Sequence, residues 1–135
     1  YMAIRNFNEF IYPKHKLEWI ILDDSRESMK DIIPRDKRIH YIHIPNEHYS
    51  IAKKRNMGAD FANHEYIMHM DDDDYYPPES ILARVKILMK YKDKGIECVG
   101  SSTIGIYNIM NKNSNIASDG DTSLSEASMK LNQDM

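Results

Sequence analysis

Short apolar runs and stretches of helical periodicity alternate along most of the chain. Residues 1–12 place apolar side chains at helical spacing, and Pro13 ends that helix. Two apolar runs, Leu17–Leu22 and Ile39–Ile44, predict strands, and the first has the composition of a strand buried on both faces. Between them we expect a poorly defined connection with a helical turn near residues 28–32.

The next segment repeats this alternation. Ser50 has the position of an N-cap for a helix that runs to about residue 63. The run Tyr66–Met70 then predicts a further strand. The face of the helix that carries small and apolar residues consists of Ile51, Gly58, Ala59 and Ala62.

A third helix opens at Pro77-Pro78, because proline is favoured in a first helical turn. Gly95 ends it, and one or two strands are expected between residues 96 and 109. Beyond residue 111 the chain is polar. The buried stripe of this helix would consist of Ile81, Leu82, Val85, Leu88 and Met89.

This order of elements predicts an α/β fold, with a mostly parallel, Rossmann-like sheet, right-handed crossovers and flanking helices. A complete domain of this kind would open with a strand, whereas this chain opens with a helix and stops without a closing element. We therefore expect a fragment at both ends, with the N-terminal strand missing.

Composition narrows the classes of function. Of 135 residues, 41% are hydrophobic and 29% charged, as in an ordinary globular domain. The formal net charge of -3 offers no basic field for nucleic acid or anionic lipid. No apolar run is long enough to cross a bilayer. The single cysteine, Cys98, fits a reducing compartment, so a cytoplasmic location is expected, and its apolar neighbours predict burial.

Two acidic groups, Asp23-Asp24 and Asp71–Asp74, each follow a predicted strand. In a parallel sheet both lie at the carboxyl edge, where such sheets bind ligands. Adjacent carboxylates repel unless a cation or hydrogen bonds offset the repulsion. If the backbone turns between them, Asp71 and Asp73 can both reach one hard divalent cation.

A plainer alternative for Asp71–Asp74 is a solvated loop that caps the following helix, where negative charge is favourable. An EF-hand calcium loop fits poorly, since Tyr76 stands where that loop needs glycine.

Other polar groups carry weaker signals. The cations Lys53-Lys54-Arg55 suit diphosphate oxygens, although a solvated helical face is the commoner role for any single one of them. His40 and His43 lie three apart on a strand and so face opposite sides, which excludes a shared metal there. His69 is expected to be packed or hydrogen-bonded. No glycine-rich phosphate loop is present in the sequence.

Three segments resemble family 2 glycosyltransferases with the GT-A fold, in the nucleotide-diphospho-sugar transferase superfamily. Glu18–Ser25 resembles the strand whose terminal Asp-Asp contacts the base and ribose. Ala52–Gly58, within residues 46–58, is similar to the family's Ala-x-x-Arg-Asn-x-Gly helix. Glu65–Pro78 is similar to the strand and Asp-x-Asp motif that hold the metal. The order and spacing of the three agree with the family over about residues 1–109.

The resemblance implies a metal-dependent, inverting, hexosyltransferase-like enzyme. It would move a sugar from a UDP- or GDP-sugar to a hydroxyl of a glycan, lipid or protein acceptor, with a carboxylate as base. Glu126 is the one carboxylate in a region suitable for that base. The other residues that the resemblance assigns are Asp23, Asp24, Arg55 and Asp72 for the nucleotide sugar, and Asp71 and Asp73 for Mn²⁺ or Mg²⁺.

The resemblance also predicts the organisation of the chain. Residues 1–109 would form the nucleotide-sugar-binding part of a GT-A domain, and residues 110–135 would begin a polar, truncated acceptor-side region. The family's first strand normally lies between the strands that end at Asp24 and Asp71, so a gap is expected there.

Two alternatives to an active glycosyltransferase remain open. One is a truncated or degenerate domain that binds nucleotide sugar without turnover. The other is a nucleotidyltransferase, which would need a glycine-rich basic loop that the sequence does not display.

Overall fold

The computed structural model describes residues 2–45, 48–101, 103–108 and 110–118. The chain divides into two compact units, Tyr1–Met89 and Lys90–Met135. The helices and strands of the described residues are, in chain order, α1 (Met2–Glu9), β1 (Trp19–Asp23), β2 (Ile39–His43), α2 (Ile51–Asp60), α3 (Ser80–Tyr91), β3 (Thr103–Asn108) and β4 (Asn113–Ser118).

A parallel pair of strands forms the sheet of the first unit. β1 pairs with β2 in a register that runs from Trp19 opposite Ile39 to Asp23 opposite His43. The connection between them contains a 3-10 turn at Lys30–Ile32, within the region where a helical turn was predicted. α2 lies against β1, since a Cβ added at Gly58 would be 3.8 Å from Cδ1 of Leu22. The first unit therefore has the predicted α/β architecture of parallel strands with flanking helices.

α1 supplies the core of this unit. Phe7 and Phe10, 3% and 7% exposed, are the buried hydrophobic side chains among the described residues. The Phe7 ring lies 5.2 Å from the Trp19 ring, and the guanidinium of Arg38 lies 4.7 Å over it. The helix ends at Glu9, earlier than the predicted residue 12, and its apolar face still packs on β1.

The predicted cap at Ser50 and the closing role of Gly95 are confirmed, whereas α2 ends at Asp60, earlier than the predicted residue 63. Ser50 caps α2, its hydroxyl oxygen accepting a hydrogen bond from the Lys53 amide at 3.2 Å. α3 begins at Ser80, just after the proline pair. Gly95 closes the helical region in the left-handed conformation, with φ of 73°, which glycine adopts without steric cost.

The predicted strand Tyr66–Met70 is wrong. These residues lie outside both sheets, and in the part of the chain that is described β1 pairs with β2 alone. An extended apolar segment becomes a strand only where a neighbour supplies ladder partners. Because the expected gap was to lie between β1 and this segment, and the segment is not a strand, the described residues do not test it.

Burial is lower than predicted at several apolar positions. β1 is intermediate in exposure along its whole length rather than buried on both faces. Ile51 and Met89 are 66% and 54% exposed, and Cys98 is exposed rather than buried. The reason is general: periodicity selects the face of an element, whereas burial also needs a second element packed over that face.

The second unit contains an antiparallel hairpin. β3 pairs with β4 from Thr103 opposite Ser118 to Asn108 opposite Asn113. β3 lies within the region predicted to hold strands, but β4 was not predicted, because its polar sequence has no apolar alternation and its pairing uses the backbone. No helix of the described residues is long and apolar enough to span a bilayer.

Candidate functional site

The carboxylate of Asp23, at the end of β1, is held by its own chain. Oδ1 accepts hydrogen bonds from the amide and hydroxyl of Ser25, and Oδ2 accepts from the Met29 amide and the Tyr41 hydroxyl. Partial burial acts to raise the pKa of Asp23, but these hydrogen bonds stabilise the ionised form more and lower its pKa to about 2. Asp23 therefore shapes the turn that follows β1.

Asp24, the next residue, is tied to α2. The ammonium of Lys54 lies 2.8 Å from its Oδ2. Hydrogen bonding to this ammonium lowers the pKa of Asp24, so the carboxylate is ionised at neutral pH. The pair joins the turn after β1 to the first half of α2.

Arg55, the residue after Lys54, reaches a different acidic segment. Its guanidinium Nη2 lies 3.3 Å from Oδ1 of Asp71. Asp71 is the first residue of the aspartate loop, which we define as residues 71–76. Lys53 instead lies over the ring of Tyr49, 4.0 Å from its centroid. Two of the three consecutive cations thus bind the two predicted acidic groups, and a purely solvated helical face does not describe them.

The aspartate loop is held in place by α1. The side chain of Asn6 is fully buried, at 0% exposed. Its Nδ2 donates to the carbonyl oxygen of Asp74 at 2.8 Å, and its Oδ1 accepts from the Tyr76 amide at 3.2 Å. The Tyr76 hydroxyl in turn accepts from the Asp71 amide at 3.2 Å, which closes the loop on itself.

The burial of Asn6 and its contacts with the aspartate loop were not predicted from the sequence. Helical periodicity marks apolar residues, and a polar residue on an amphipathic helix is ordinarily assigned to solvent. The one available signal was the position of Asn6 beside Phe7, on the face that packs into the core.

The side chains of the aspartate loop suit a hard cation. Asp71–Asp74 are all exposed, so their oxygens are open to solvent and to ligands. No group of three or more His, Cys, Asp or Glu side chains able to hold a metal exists in the described part of the chain. Mg²⁺ typically binds through one or two carboxylates and fills its other positions with water and substrate phosphates, and Mn²⁺ likewise favours oxygen ligands. A cation at this loop would therefore have to be held by one or two of its exposed carboxylates.

The histidines take no part in this arrangement. His40, near the start of β2, places its Nε2 3.5 Å from Oε2 of Glu18. His43, the last residue of β2, places its Nε2 2.9 Å from the Ser25 carbonyl oxygen. His69, expected to be packed or hydrogen-bonded, is exposed, so it is not packed.

The structure brings most of the predicted site residues to one region, and one predicted residue lies outside the described chain. Through Lys54 and Arg55, α2 connects Asp24 with Asp71, and Asp72 and Asp73 lie in the same exposed loop as Asp71. Glu126, the predicted base, lies outside the described residues.

Comparison with known proteins gives a match over most of the chain. Residues 4–121 match the family described as Glycosyl transferase family 2. The match covers the three segments that carry the resemblance and all the assigned residues except Glu126. No curated protein and no solved structure is significantly similar to the chain. On the strength of the family match, the chain belongs to glycosyl transferase family 2.

Proposed function

We propose that this chain binds a nucleotide-diphosphate sugar at the rim formed by the turn after β1, α2 and the aspartate loop. Membership of the family supports glycosyl transfer. The observation that carries the proposal is the pair of ion contacts made by consecutive residues of α2, Lys54 with Asp24 and Arg55 with Asp71. These contacts gather carboxylates and cations from three segments at the carboxyl edge of β1, where α/β sheets bind nucleotides.

Each group has a role in this proposal. Asp24 contacts the base or ribose. Asp23 holds the turn that carries Asp24, and it is the second predicted contact of the nucleotide. Arg55 binds the nucleotide region, since a guanidinium pairs well with diphosphate oxygens. The sugar or ribose lies near Asp72, and a donor of the UDP- or GDP-sugar type fits this set.

Asp71 and Asp73 would hold Mn²⁺ or Mg²⁺, and such a cation supplies charge neutralisation for the departing diphosphate. Before the cation binds, Arg55 offsets the charge of Asp71. When ligands arrive, the same guanidinium can turn to the diphosphate, because a contact of 3.3 Å between two exposed side chains contributes little stability.

The proposed reaction is a direct displacement with inversion. The acceptor hydroxyl oxygen forms a bond to the anomeric carbon as the bond from that carbon to the diphosphate oxygen breaks. The nucleoside diphosphate leaves with the bonding electron pair, and a carboxylate base takes the hydroxyl proton. Glu126 remains the candidate for this base, and a glycan, lipid or protein hydroxyl remains the acceptor.

We further propose that residues 1–109 carry donor binding and residues 110–135 begin the acceptor side. The proposed boundary at residue 109 concerns function and differs from the division of the chain into compact units, which falls between Met89 and Lys90. A cytoplasmic location is proposed as well, because the exposed free thiol of Cys98 suits a reducing compartment.

Donor binding is tested by thermal unfolding with UDP- and GDP-sugars in the presence of Mn²⁺. A ligand at 100 times its Kd stabilises the native state by about 2.7 kcal/mol, which raises Tm by roughly 10 °C for a domain of this size. Asp73→Asn and Asp24→Asn should each remove most of that shift. Asp93→Asn, a matched change at an exposed carboxylate of the second unit, should leave it unchanged. An equal shift in Asp73→Asn and in the unmodified chain would refute the metal assignment.

Turnover is tested separately by release of nucleoside diphosphate from the same donors. Binding accompanied by release supports the glycosyltransferase. Binding without any release, also in a chain extended at both ends, supports a domain that holds nucleotide sugar without acting on it.

A further inference from the structure

We infer that Asn6 is a positioning residue for the aspartate loop, which sets the loop backbone so that Asp71 and Asp73 are held ready for one cation. The inference rests on the proposed metal-binding role of the loop and adds to it a residue from a distant helix. Asn6 precedes the loop by 68 residues at its contact with Asp74 and by 70 at its contact with Tyr76.

The burial of Asn6 is the first observation. The other buried side chains nearby, Phe7 of α1 and Phe10 just after it, are apolar, and Asn6 is the most completely buried of the three. A buried amide costs stability unless its donor and its acceptor are both paired. Here both are paired, and both partners belong to the aspartate loop. The core therefore tolerates a polar group at this position because the loop completes it.

The choice of partners is the second observation. Asn6 binds only backbone groups, the carbonyl of Asp74 and the amide of Tyr76, which lie on either side of Tyr75. This clamp fixes the path of the loop without using a carboxylate oxygen. The carboxylates of Asp71 and Asp73 are exposed, while the backbone of the loop is held at Asp71, at Asp74 and at Tyr76.

The charge of the loop is the third observation. Four adjacent carboxylates repel one another, and an unrestrained loop would relieve this by spreading them apart. Three contacts oppose such spreading: the Asn6 clamp, the hydrogen bond from the Asp71 amide to the Tyr76 hydroxyl, and the 2.9 Å hydrogen bond from the Ile11 amide to the Pro78 carbonyl oxygen. A cation that binds a loop whose backbone is already restrained loses less free energy in ordering it. Asn6 thereby raises the affinity of the loop for the cation without touching it.

The test compares Asn6→Leu with Phe7→Leu. Asn6→Leu keeps a similar volume but leaves the Asp74 carbonyl and the Tyr76 amide without this partner. Phe7→Leu disturbs the same helix face one residue away, where the ring contacts Trp19 and Arg38 rather than the loop. Asn6→Ser, a milder change whose hydroxyl cannot reach both backbone groups, serves if the leucine variant does not fold.

Three quantities are measured on the full chain: Tm, the Kd for Mn²⁺ alone by electron paramagnetic resonance, and hydrogen exchange at the Tyr76 amide. We expect both α1 variants to lower Tm. Asn6→Leu should weaken Mn²⁺ binding by about tenfold, as the loss of paired backbone groups implies, and should speed exchange at Tyr76. Phe7→Leu should change the Kd for Mn²⁺ by no more than about twofold. It should also leave the Tyr76 amide protected from hydrogen exchange.

Two results would overturn the inference. One is an unchanged Kd in Asn6→Leu at the same loss of Tm as in Phe7→Leu. The other is a Tyr76 amide that exchanges in the unmodified chain as fast as the neighbouring Tyr75 amide. If the unmodified chain binds no Mn²⁺, the proposed metal role fails on its own. Positioning is then decided by exchange at Tyr76, where protection lost in Asn6→Leu and kept in Phe7→Leu supports it and equal exchange in both refutes it.

Discussion

Asp23 and Asp24 are adjacent carboxylates in different environments. Asp23 accepts four hydrogen bonds from Ser25, Met29 and Tyr41, whereas the side chain of Asp24 is paired with Lys54. Exchange of Lys54 for a ligand frees Asp24 at little cost, while release of Asp23 would leave several donors unpaired. At the residue scale, therefore, Asp24 is the member of the pair suited to bind a nucleotide and Asp23 the member that holds the turn.

Tyr41→Phe tests the structural role of Asp23. Removing the hydroxyl should raise the pKa of Asp23 and lower the free energy of unfolding at pH 7 by about 2 kcal/mol, typical of a hydrogen bond to a charged group. The folded-state pKa of about 2 lies below the ordinary 3.8, so this stabilisation is present above pH 3.8 and is lost as the pH falls toward 2. Urea unfolding at pH 7 and at pH 3 should therefore give a smaller difference between variant and unmodified chain at the lower pH.

Tyr66→Phe provides the control for this change. Its hydroxyl donates to the sulfur of Met89, a weak acceptor, at 3.2 Å. Tyr66→Phe should therefore lower the free energy of unfolding by less than Tyr41→Phe does, and by the same amount at pH 7 and at pH 3. A loss in Tyr41→Phe that does not change with pH would contradict the assignment of the stabilisation to ionised Asp23.

At the scale of elements, α2 organises the candidate site. It packs on β1 near Leu22, and its residues Lys54 and Arg55 reach two acidic segments that the chain supplies at separate points. Adjacent helical residues diverge by about 100° around the axis, since 3.6 residues make one turn. One helix can therefore bridge the turn after β1 and the aspartate loop at the same time.

Ser50→Ala tests this arrangement through the helix rather than through the site residues. Loss of the hydrogen bond from the Lys53 amide to the Ser50 hydroxyl should lower the free energy of unfolding by about 1 kcal/mol. Because Lys54 and Arg55 lie in the first turns of α2, the increase in Tm caused by the donor with Mn²⁺ should also shrink. Ser50→Asp restores a cap and should recover the stability in urea unfolding. A Ser50→Ala variant as stable as the unmodified chain would show that α2 needs no cap.

At the scale of the whole molecule, few side chains carry the hydrophobic stabilisation. Among the described residues the buried hydrophobic side chains are Phe7 of α1 and Phe10, which directly follows that helix. The same helix carries Asn6 and so joins the packing of β1 to the path of the aspartate loop. Stability of the first unit and order in its candidate site should therefore be lost together.

Phe7→Ala tests that dependence. Removal of a buried phenylalanine costs about 3–5 kcal/mol, a large part of the stability of a typical domain. We expect the variant to be largely unfolded at 37 °C, as followed by the fluorescence of Trp19, the one tryptophan of the chain, which contacts the Phe7 ring. Phe61→Ala removes a phenylalanine that is 51% exposed and should cost far less. Equal losses in the two variants would contradict the role of α1 as the core.

Local features were readable in the sequence. The cap at Ser50, the left-handed glycine at Gly95 and the acidic end of β1 depend on interactions within a few residues. The motif order that indicates family 2 is equally a property of the chain. These predictions hold because the free energies that decide them involve neighbours along the chain.

The pairing between distant segments appeared only in the folded chain. Asn6 meets Asp74 across 68 residues, and Tyr41 meets Asp23 across 18, with no local pattern to mark either contact. Tyr66–Met70 has the composition of a strand but lies outside both sheets, because a ladder needs a neighbour that composition does not reveal. The aspartate run, as a cluster of carboxylates that could bind a cation, was therefore recognisable in the sequence alone. Its restraint by α1 and its connection to Asp24 through α2 followed from packing, since burial and pairing depend on which elements lie side by side.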